Sequence, residues 1–128
     1  MAKRVLIVDD SSYMRSLINE TITKEGYHVV GMAVDGESAI DQAIRLVPDI
    51  ITLDQALPDM TGMDILQAIK AAQLSTTVIM VSAIGQQSTV KEALEAGAID
   101  YIVKPFSKKE LIDALGKISN KTDHSKIE

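Results

Sequence analysis

Five short apolar runs alternate with five longer segments of helical spacing, and this alternation limits the possible folds more than any other feature. The predicted strands are residues 4–8, 28–33, 49–53, 77–82 and 98–103. Several of them are almost continuously apolar, as expected for strands that are buried on both faces. Strands that alternate with helices indicate the α/β class, in this case a doubly wound parallel sheet with helices on both faces.

The helical segments have recognisable ends as well as an apolar repeat. The first segment ends at Gly26, the second before Pro48 and the fourth, residues 88–96, at Gly97. The third begins at Thr61 and the fifth at Ser107, each with an acidic residue three positions later. That spacing is typical of a capping box at the start of a helix.

The composition is that of one globular domain. The chain has 128 residues, of which 46% are hydrophobic, and a net charge of −5. Residues 1–119 are predicted to form the domain, and the polar residues 120–128 a tail or the start of a linker. The negative charge argues against direct nucleic-acid binding, and no stretch is long enough for membrane insertion. Cysteine is absent, which excludes thiolate chemistry and is compatible with a cytoplasmic location.

Four of the five predicted strands end in residues with ionic or hydroxyl side chains. Asp9 and Asp10 follow the first strand, Asp54 the third, Ser82 ends the fourth, and Lys104 follows the fifth. In an open parallel sheet these ends share one crevice. Crowded carboxylates repel one another unless a cation lies among them, and a ligand set of oxygens suits Mg²⁺. A metal and a lysine beside a carboxylate are suited to accepting a phosphoryl group. The second strand carries no such residue, which predicts an edge position.

Each of these residues also has a simpler explanation when it is taken alone. Acids after a strand favour the first turn of a helix, and Asp54 can begin a turn before Pro58. A serine at a strand end commonly caps or turns, and a lysine there commonly reaches solvent. The coincidence at four strand ends is what favours a single phosphoryl site.

Several short motifs surround these strand ends. They are Val5-Leu6-Ile7-Val8-Asp9-Asp10, Leu53-Asp54 with Pro58 and Gly62, Ser82-Ala83, Ala96-Gly97-Ala98 and Lys104-Pro105-Phe106. Over about residues 3 to 119 the chain resembles a response-regulator receiver domain, the CheY-like family of two-component signalling. The resemblance implies five strands in the order 2-1-3-4-5 with five helices. Residues 82–87 and Met14-Arg15 are most similar to stand-alone chemotaxis regulators. The alternatives are a receiver domain cut from a larger transcription or output regulator, or a phosphorelay intermediate.

The resemblance also implies a role for each site residue. Asp54 is expected to be the phosphoacceptor, and Lys104 to pair with the phosphoryl group. Asp10 is expected to bind Mg²⁺ directly, Asp9 through water, and Ala56 through its backbone carbonyl. The chain would act as a signalling phosphoacceptor that promotes its own phosphorylation and dephosphorylation, rather than as an enzyme on other substrates.

Further positions are implied for switching and for the lifetime of the phosphorylated state. Ser82 and Tyr101 match the hydroxyl and aromatic switch residues, although a tyrosine on a strand often only packs. Ala56 and Ile84 match positions that flank the path of the hydrolytic water. Gln55 departs from the apolar residue that is usual in the family, and we expect it not to touch the chemistry but to affect how a partner docks. The implied partners are a histidine kinase and a downstream protein that binds the fourth helix, fifth strand and fifth helix.

The Lys104–Pro105 bond is expected to be cis, on the same resemblance.

The site residues also argue against three other functions. A haloacid-dehalogenase-like phosphatase would have its two acids two residues apart after one strand, whereas Asp9 and Asp10 are adjacent. A docking module without phosphorylation would not need the complete set of acids, serine and lysine. A flavodoxin-like flavin binder would need a phosphate loop after the first strand, which is not seen.

Overall fold

The computed structural model describes the backbone of residues 2–127 and the side chains of residues 2–118. The strands are β1 (Arg4–Val8), β2 (His28–Ala33), β3 (Ile50–Leu53), β4 (Thr77–Ser82) and β5 (Asp100–Val103). The helices are α1 (Ser12–Thr23), α2 (Gly36–Leu46), α3 (Gly62–Ala71), α4 (Gln87–Glu95) and α5 (Lys108–Ile127). Strands and helices alternate along the whole described chain, as the sequence predicts.

The five strands form one parallel sheet in the order β2-β1-β3-β4-β5. Val8 pairs with Leu53, and Ser82 with Val103, so neighbouring strands end at nearly the same level. The β1–β2 pairing has one irregularity, between Val5 and Leu6. β2 lies at an edge of the sheet, which confirms the position predicted from its lack of a polar strand end.

Both faces of the sheet are covered, because side chains alternate along each strand. Leu6 and Ile51 face α2 and α3 in a buried cluster that includes Ala43 and Leu66. On the opposite face, Ile7 and Ile79 belong to a cluster with residues of α1 and α5. Burial on both faces explains the nearly continuous apolar runs of β1 and β4, and it confirms the doubly wound class.

The helix starts follow the capping rules read from the sequence. The Thr61 hydroxyl accepts from the backbone N–H of Asp64, and the Asp64 carboxylate accepts from that of Thr61. Ser107 and Glu110 exchange the same two bonds at the start of α5. These reciprocal bonds satisfy N–H groups that have no partner within the helix.

Two element boundaries differ from the prediction by more than one residue. β5 begins at Asp100 rather than at residue 98, because the N–H of Ala98 returns to the carbonyl of Ala93 and closes the end of α4. α5 continues to Ile127, so the described part of the predicted polar tail is helical. A helix can continue without an apolar repeat, since each added residue contributes a further backbone hydrogen bond. The domain boundary at residue 119 stays a prediction.

Candidate functional site

The parallel hydrogen-bond pattern of the sheet continues past the strand ends and places the site residues. The N–H of Asp54 donates to the carbonyl of Val8 at 3.0 Å. The N–H of Lys104 donates to the carbonyl of Ser82 at 2.8 Å. Residues that are distant in the sequence are therefore fixed at one edge of the sheet by the backbone itself, before any side-chain contact is considered.

Three carboxylates meet at this edge. Asp9, Asp10 and Asp54 each offer an oxygen atom, and these atoms lie within 4.8 Å of one another. Asp9 and Asp54 are 1% and 6% exposed, whereas Asp10 is exposed. One oxygen of Asp9 accepts from the N–H of Ser11 at 2.9 Å, and one of Asp54 from the N–H of Ala56 at 3.2 Å. The buried carboxylates are thus oriented by the backbone of the loops that follow them.

Lys104 crosses the crevice and contacts both buried carboxylates. Its Nζ lies 2.7 Å from Oδ2 of Asp9 and 3.2 Å from Oδ2 of Asp54. Partial burial alone would lower the pKa of the Lys104 ammonium. The hydrogen bond to Asp9 and the charges of Asp54 and Asp9 outweigh this, so the pKa lies above its ordinary value. The ammonium is therefore charged at neutral pH. The Lys104–Pro105 peptide bond is cis, as predicted.

The donor atoms of this cluster suit a magnesium ion. All three side chains supply carboxylate oxygens, which Mg²⁺ prefers to nitrogen or sulfur. Asp10 is open to solvent, so water can fill the remaining positions, and Mg²⁺ usually retains several waters in proteins. The Ala56 residue predicted to add its backbone carbonyl lies in the loop directly after Asp54. The residues present therefore fit the ion that the sequence predicts.

Ser82 and Tyr101 lie on β4 and β5 beside the cluster. Ser82 is completely buried, and its Oγ accepts from the N–H of Ile84 at 3.2 Å. The hydroxyl proton is not used in that bond, so it can be donated to another group. The Tyr101 hydroxyl donates to the carbonyl of Ile84 at 2.5 Å. Partial burial raises the pKa of this phenol, and the charge of Asp54 adds to the rise, while a Ser82 contact opposes it.

Comparison with known proteins shows the family. A model of the response regulator receiver domain matches residues 5–116, which contain all the site residues named above. The chain belongs to this receiver family. It is a phosphoacceptor signalling domain that is closely related to CheY chemotaxis regulators.

Two curated relatives and one solved structure show how similar this receiver is to chemotaxis proteins. It is 45% identical to chemotaxis protein CheY of Thermotoga maritima over 119 residues, 93% of this chain and 99% of the relative. It is 42% identical to the CheY of Bacillus subtilis over 120 residues, 94% and 100% of the two chains. The crystal structure of the CheX–CheY–BeF3–Mg²⁺ complex of Borrelia burgdorferi matches with a TM-score of 0.88 and 34% identity, covering 91% of this chain and 88% of the other. The family match gives no support to the phosphatase or flavin-binder hypotheses.

The structure brings Asp9, Asp10, Asp54 and Lys104 of the receiver together, as the sequence predicts. Ile84 is 37% exposed, so its side chain is partly open to solvent. Ala56 is also exposed. Both lie in loops that follow strand ends, which is where the predicted path of the hydrolytic water would be.

The side chain of Gln55 is buried and makes a hydrogen bond that the sequence analysis did not predict. It is only 6% exposed, so its side chain is not part of an exposed surface, and an effect on partner docking stays a prediction. Its Oε1 accepts a buried hydrogen bond from the N–H of Met63 at 2.8 Å. The only signal in the sequence is that Met63 lies in the first turn of a predicted helix, where N–H groups lack partners within the helix.

Two further contacts were not found by sequence reasoning. Arg15, one turn into α1, donates to the backbone carbonyl of Asp9 at 2.7 Å. Asp59 accepts from the N–H groups of Gly36 and Glu37 at 2.7 and 3.0 Å, which caps α2 from a different loop. Asp59 does not belong to the group of three carboxylates that could hold a metal ion. Among the helices in the described part of the chain, none is long and apolar enough to cross a membrane.

Proposed function

We propose that Asp54 accepts a phosphoryl group from the phosphohistidine of a histidine kinase in a Mg²⁺-dependent reaction. The observation that supports this most is the contact of one charged lysine with two buried carboxylates inside a cluster of three. Lys104 partly neutralises the cluster, and its ammonium can turn to an incoming anion without leaving the crevice. The same cluster would hold Mg²⁺ through Asp10, Asp54 and the Ala56 carbonyl, with Asp9 acting through water.

In the transfer, a carboxylate oxygen of Asp54 attacks phosphorus in line with the histidine nitrogen. An oxygen–phosphorus bond forms, the phosphorus–nitrogen bond breaks, and the electron pair returns to the imidazole, which is protonated by solvent. Mg²⁺, when bound, would supply positive charge that stabilises the negative charge on the oxygens of the transferring phosphoryl group. Lys104 pairs with one of these oxygens while Asp9 keeps the ammonium in place. The fixed positions of Asp54 and Lys104 account for much of the rate.

The acyl phosphate then changes the hydrogen bonding of the switch residues. The hydroxyl proton of Ser82 is not used in the bond from Ile84, and Ser82 donates it to a phosphoryl oxygen. The Ser82 Oγ also accepts a hydrogen bond from the N–H of Ile84. A rotation of the Ser82 side chain towards the phosphoryl group therefore displaces the loop between β4 and α4. Tyr101 is bonded to the carbonyl of the same Ile84 and responds to the loop. The result is a shift in population between two conformations of the surface that α4, β5 and α5 form.

A downstream protein is proposed to bind this surface. Leu94 of α4 and Val103 of β5 are 43% and 39% exposed, which is high for large apolar side chains. Beside them lies a groove of about 460 Å³, lined by Gly85, Gln87, Val90, Lys91, Leu94 and Glu95. An apolar groove at the end of a switchable loop suits the apolar face of a partner helix.

The proposed setting is chemotaxis signalling in the cytoplasm, with weak self-dephosphorylation. Its support is the similarity to CheY relatives.

Phosphorylation by acetyl phosphate tests the phosphoacceptor directly. Wild-type protein with Mg²⁺ is expected to gain one phosphoryl adduct by intact mass spectrometry, and Asp54→Asn none, because an amide cannot form the acyl phosphate. Asp59→Asn is the matched control, since Asp59 lies in the same loop and outside the cluster. Adduct formation by Asp54→Asn at the wild-type level would refute the assignment.

A further inference from the structure

Gln55 contacts the start of α3 through both its side chain and its backbone. Its Oε1 accepts from the N–H of Met63 at 2.8 Å, and its carbonyl accepts from the N–H of Gly62 at 2.9 Å. Residues 54–62 form the segment between these contacts, which we call the acceptor loop. Gln55 therefore joins the beginning of the acceptor loop to the helix that follows it.

The acceptor loop has little freedom once these bonds are made. Ala56 and Thr61 pair across it as an antiparallel bridge. A Cβ atom at Gly62 would lie 2.6 Å from the carbonyl oxygen of Asp54 and 2.9 Å from Cα of Gln55. The first turn of α3 thus lies against the backbone of the phosphoacceptor itself. A displacement of the first turn of α3 therefore displaces the backbone of Asp54 as well, because close-packed interiors transmit strain.

The Met63 N–H has no alternative partner within α3. It belongs to the first turn, whose N–H groups point away from the helix. Thr61, the residue that caps α3, is already bonded to Asp64. The bond to Gln55 is buried, and an apolar side chain at this position cannot replace it. The amide of Gln55 is thus what satisfies this donor and holds the loop against the helix.

We propose that Gln55 is a positioning residue for phosphoryl transfer. Its amide fixes the acceptor loop on α3 and so sets the position of the Asp54 carboxylate and the Ala56 carbonyl. The proposal rests on the proposed function of Asp54. Loss of the amide is expected to weaken Mg²⁺ binding and to slow phosphorylation, each by about ten-fold, the low end of what losing an outer-shell partner costs a metal site.

The test compares three substitutions in the whole chain. Gln55→Met keeps the length of the side chain and removes the acceptor. Gln55→Glu keeps an acceptor for the Met63 N–H, at a helix N-terminus where a carboxylate is favoured. Gln67→Met is the matched control, because Gln67 is exposed on α3. Since apolar residues are usual at position 55 in the family, Gln55→Met is expected to fold, which circular dichroism verifies.

Three readouts separate positioning from a general loss of stability. They are the Mg²⁺ dissociation constant by calorimetry, the acetyl phosphate reaction rate at saturating Mg²⁺, and hydrogen exchange of the Met63 amide by NMR. All are measured at a temperature where each variant is fully folded. Gln55→Met is expected to show about ten-fold weaker binding, a slower rate and faster exchange of this amide. Gln55→Glu is expected to restore most of the rate, and Gln67→Met to match the wild type.

The proposal is overturned if Gln55→Met keeps both the wild-type Mg²⁺ affinity and the wild-type rate. It is also overturned if Gln55→Glu is as slow as Gln55→Met, since the acceptor would then not matter. Failure of the proposed function looks different, because wild-type protein itself would not be phosphorylated on Asp54. The Mg²⁺ affinities of wild type and Gln55→Met would still decide the role of Gln55.

Discussion

The Asp9 carboxylate accepts two hydrogen bonds at the end of β1, from the backbone N–H of Ser11 and from the ammonium of Lys104, while the guanidinium of Arg15 donates to the Asp9 backbone carbonyl. A carboxylate that is 1% exposed needs such partners, because burial of an uncompensated charge is very costly. That Asp9 and Lys104 share one crevice followed from the strand ends alone, since parallel strands end at one edge. That Lys104 lies closer to Asp9 than to Asp54 did not, because it depends on rotamers.

Residues near the phosphoacceptor are expected to set the lifetime of the phosphorylated state. Ala56 and Ile84 cannot orient a water molecule by hydrogen bonding, so hydrolysis of the acyl phosphate is predicted to be slow. The double substitution Ala56→Asn and Ile84→Glu supplies two polar groups, and it should shorten the lifetime by about ten-fold through positioning of water. Decay of the purified phosphoprotein, followed by mass spectrometry, measures this. Gln86→Glu places the same new charge two residues from Ile84 and should leave the lifetime unchanged. Equal decay in the wild type and the double variant would contradict the argument.

The loop after β3 connects elements that are not neighbours in the sequence. Gln55 holds it to α3, and Asp59 holds it to α2 through Gly36 and Glu37. The helices themselves were predictable from their apolar repeats and capping boxes, which are local signals. These cross-links were not predictable, because a side chain that caps a helix other than its own leaves no fixed spacing in the sequence.

The cap of α2 by Asp59 predicts a pH-dependent stability. Hydrogen bonds from the N–H groups of Gly36 and Glu37 hold the pKa of Asp59 below its ordinary value. The stabilisation is therefore complete above the unfolded value of about 3.9 and is lost as the pH falls through the folded value. Asp59→Ala should lower the urea midpoint at pH 7, and the difference from wild type should shrink as the pH falls well below that of the unfolded carboxyl.

Urea denaturation of both proteins across this pH range measures the effect of Asp59. Asp41→Ala is the control, since the ion pair of Asp41 with Arg45 is exposed, spans 3.7 Å and contributes little. A difference between wild type and Asp59→Ala that stays constant from neutral to strongly acidic pH would show that the charge of Asp59 does not stabilise α2.

At the scale of the whole molecule, three carboxylates that repel one another are held at one edge of a sheet that is packed on both faces. The fold class and the strand order could be predicted because alternation and strand-end chemistry agree. The length of α5 could not, since a helix can continue without an apolar repeat. A ligand that relieves the repulsion stabilises the entire fold, because the strands that carry Asp9 and Asp54 belong to its core.

Mg²⁺ should therefore raise the thermal stability of the whole protein, although its binding without phosphate is expected to be weak. At ten times the dissociation constant, the gain is about 1.4 kcal/mol, or a shift on the order of 5 °C in the melting temperature. Differential scanning calorimetry with and without Mg²⁺, and after chelation, measures the shift. Asp10→Ala should abolish it, whereas Asp64→Ala, which alters a helix cap, should retain it. An equal shift in wild type and Asp10→Ala would exclude Asp10 as a ligand.

The bond from Tyr101 to the carbonyl of Ile84 has an optical consequence. The chain contains three tyrosines and no tryptophan, so tyrosine emission is not masked by energy transfer to an indole. Hydrogen bonding of a phenol to a carbonyl quenches its fluorescence, and the strength of that quenching follows the geometry of the bond. A change in this bond therefore changes the emission of Tyr101, so stopped-flow fluorescence can time the movement of the loop between β4 and α4 without an added label.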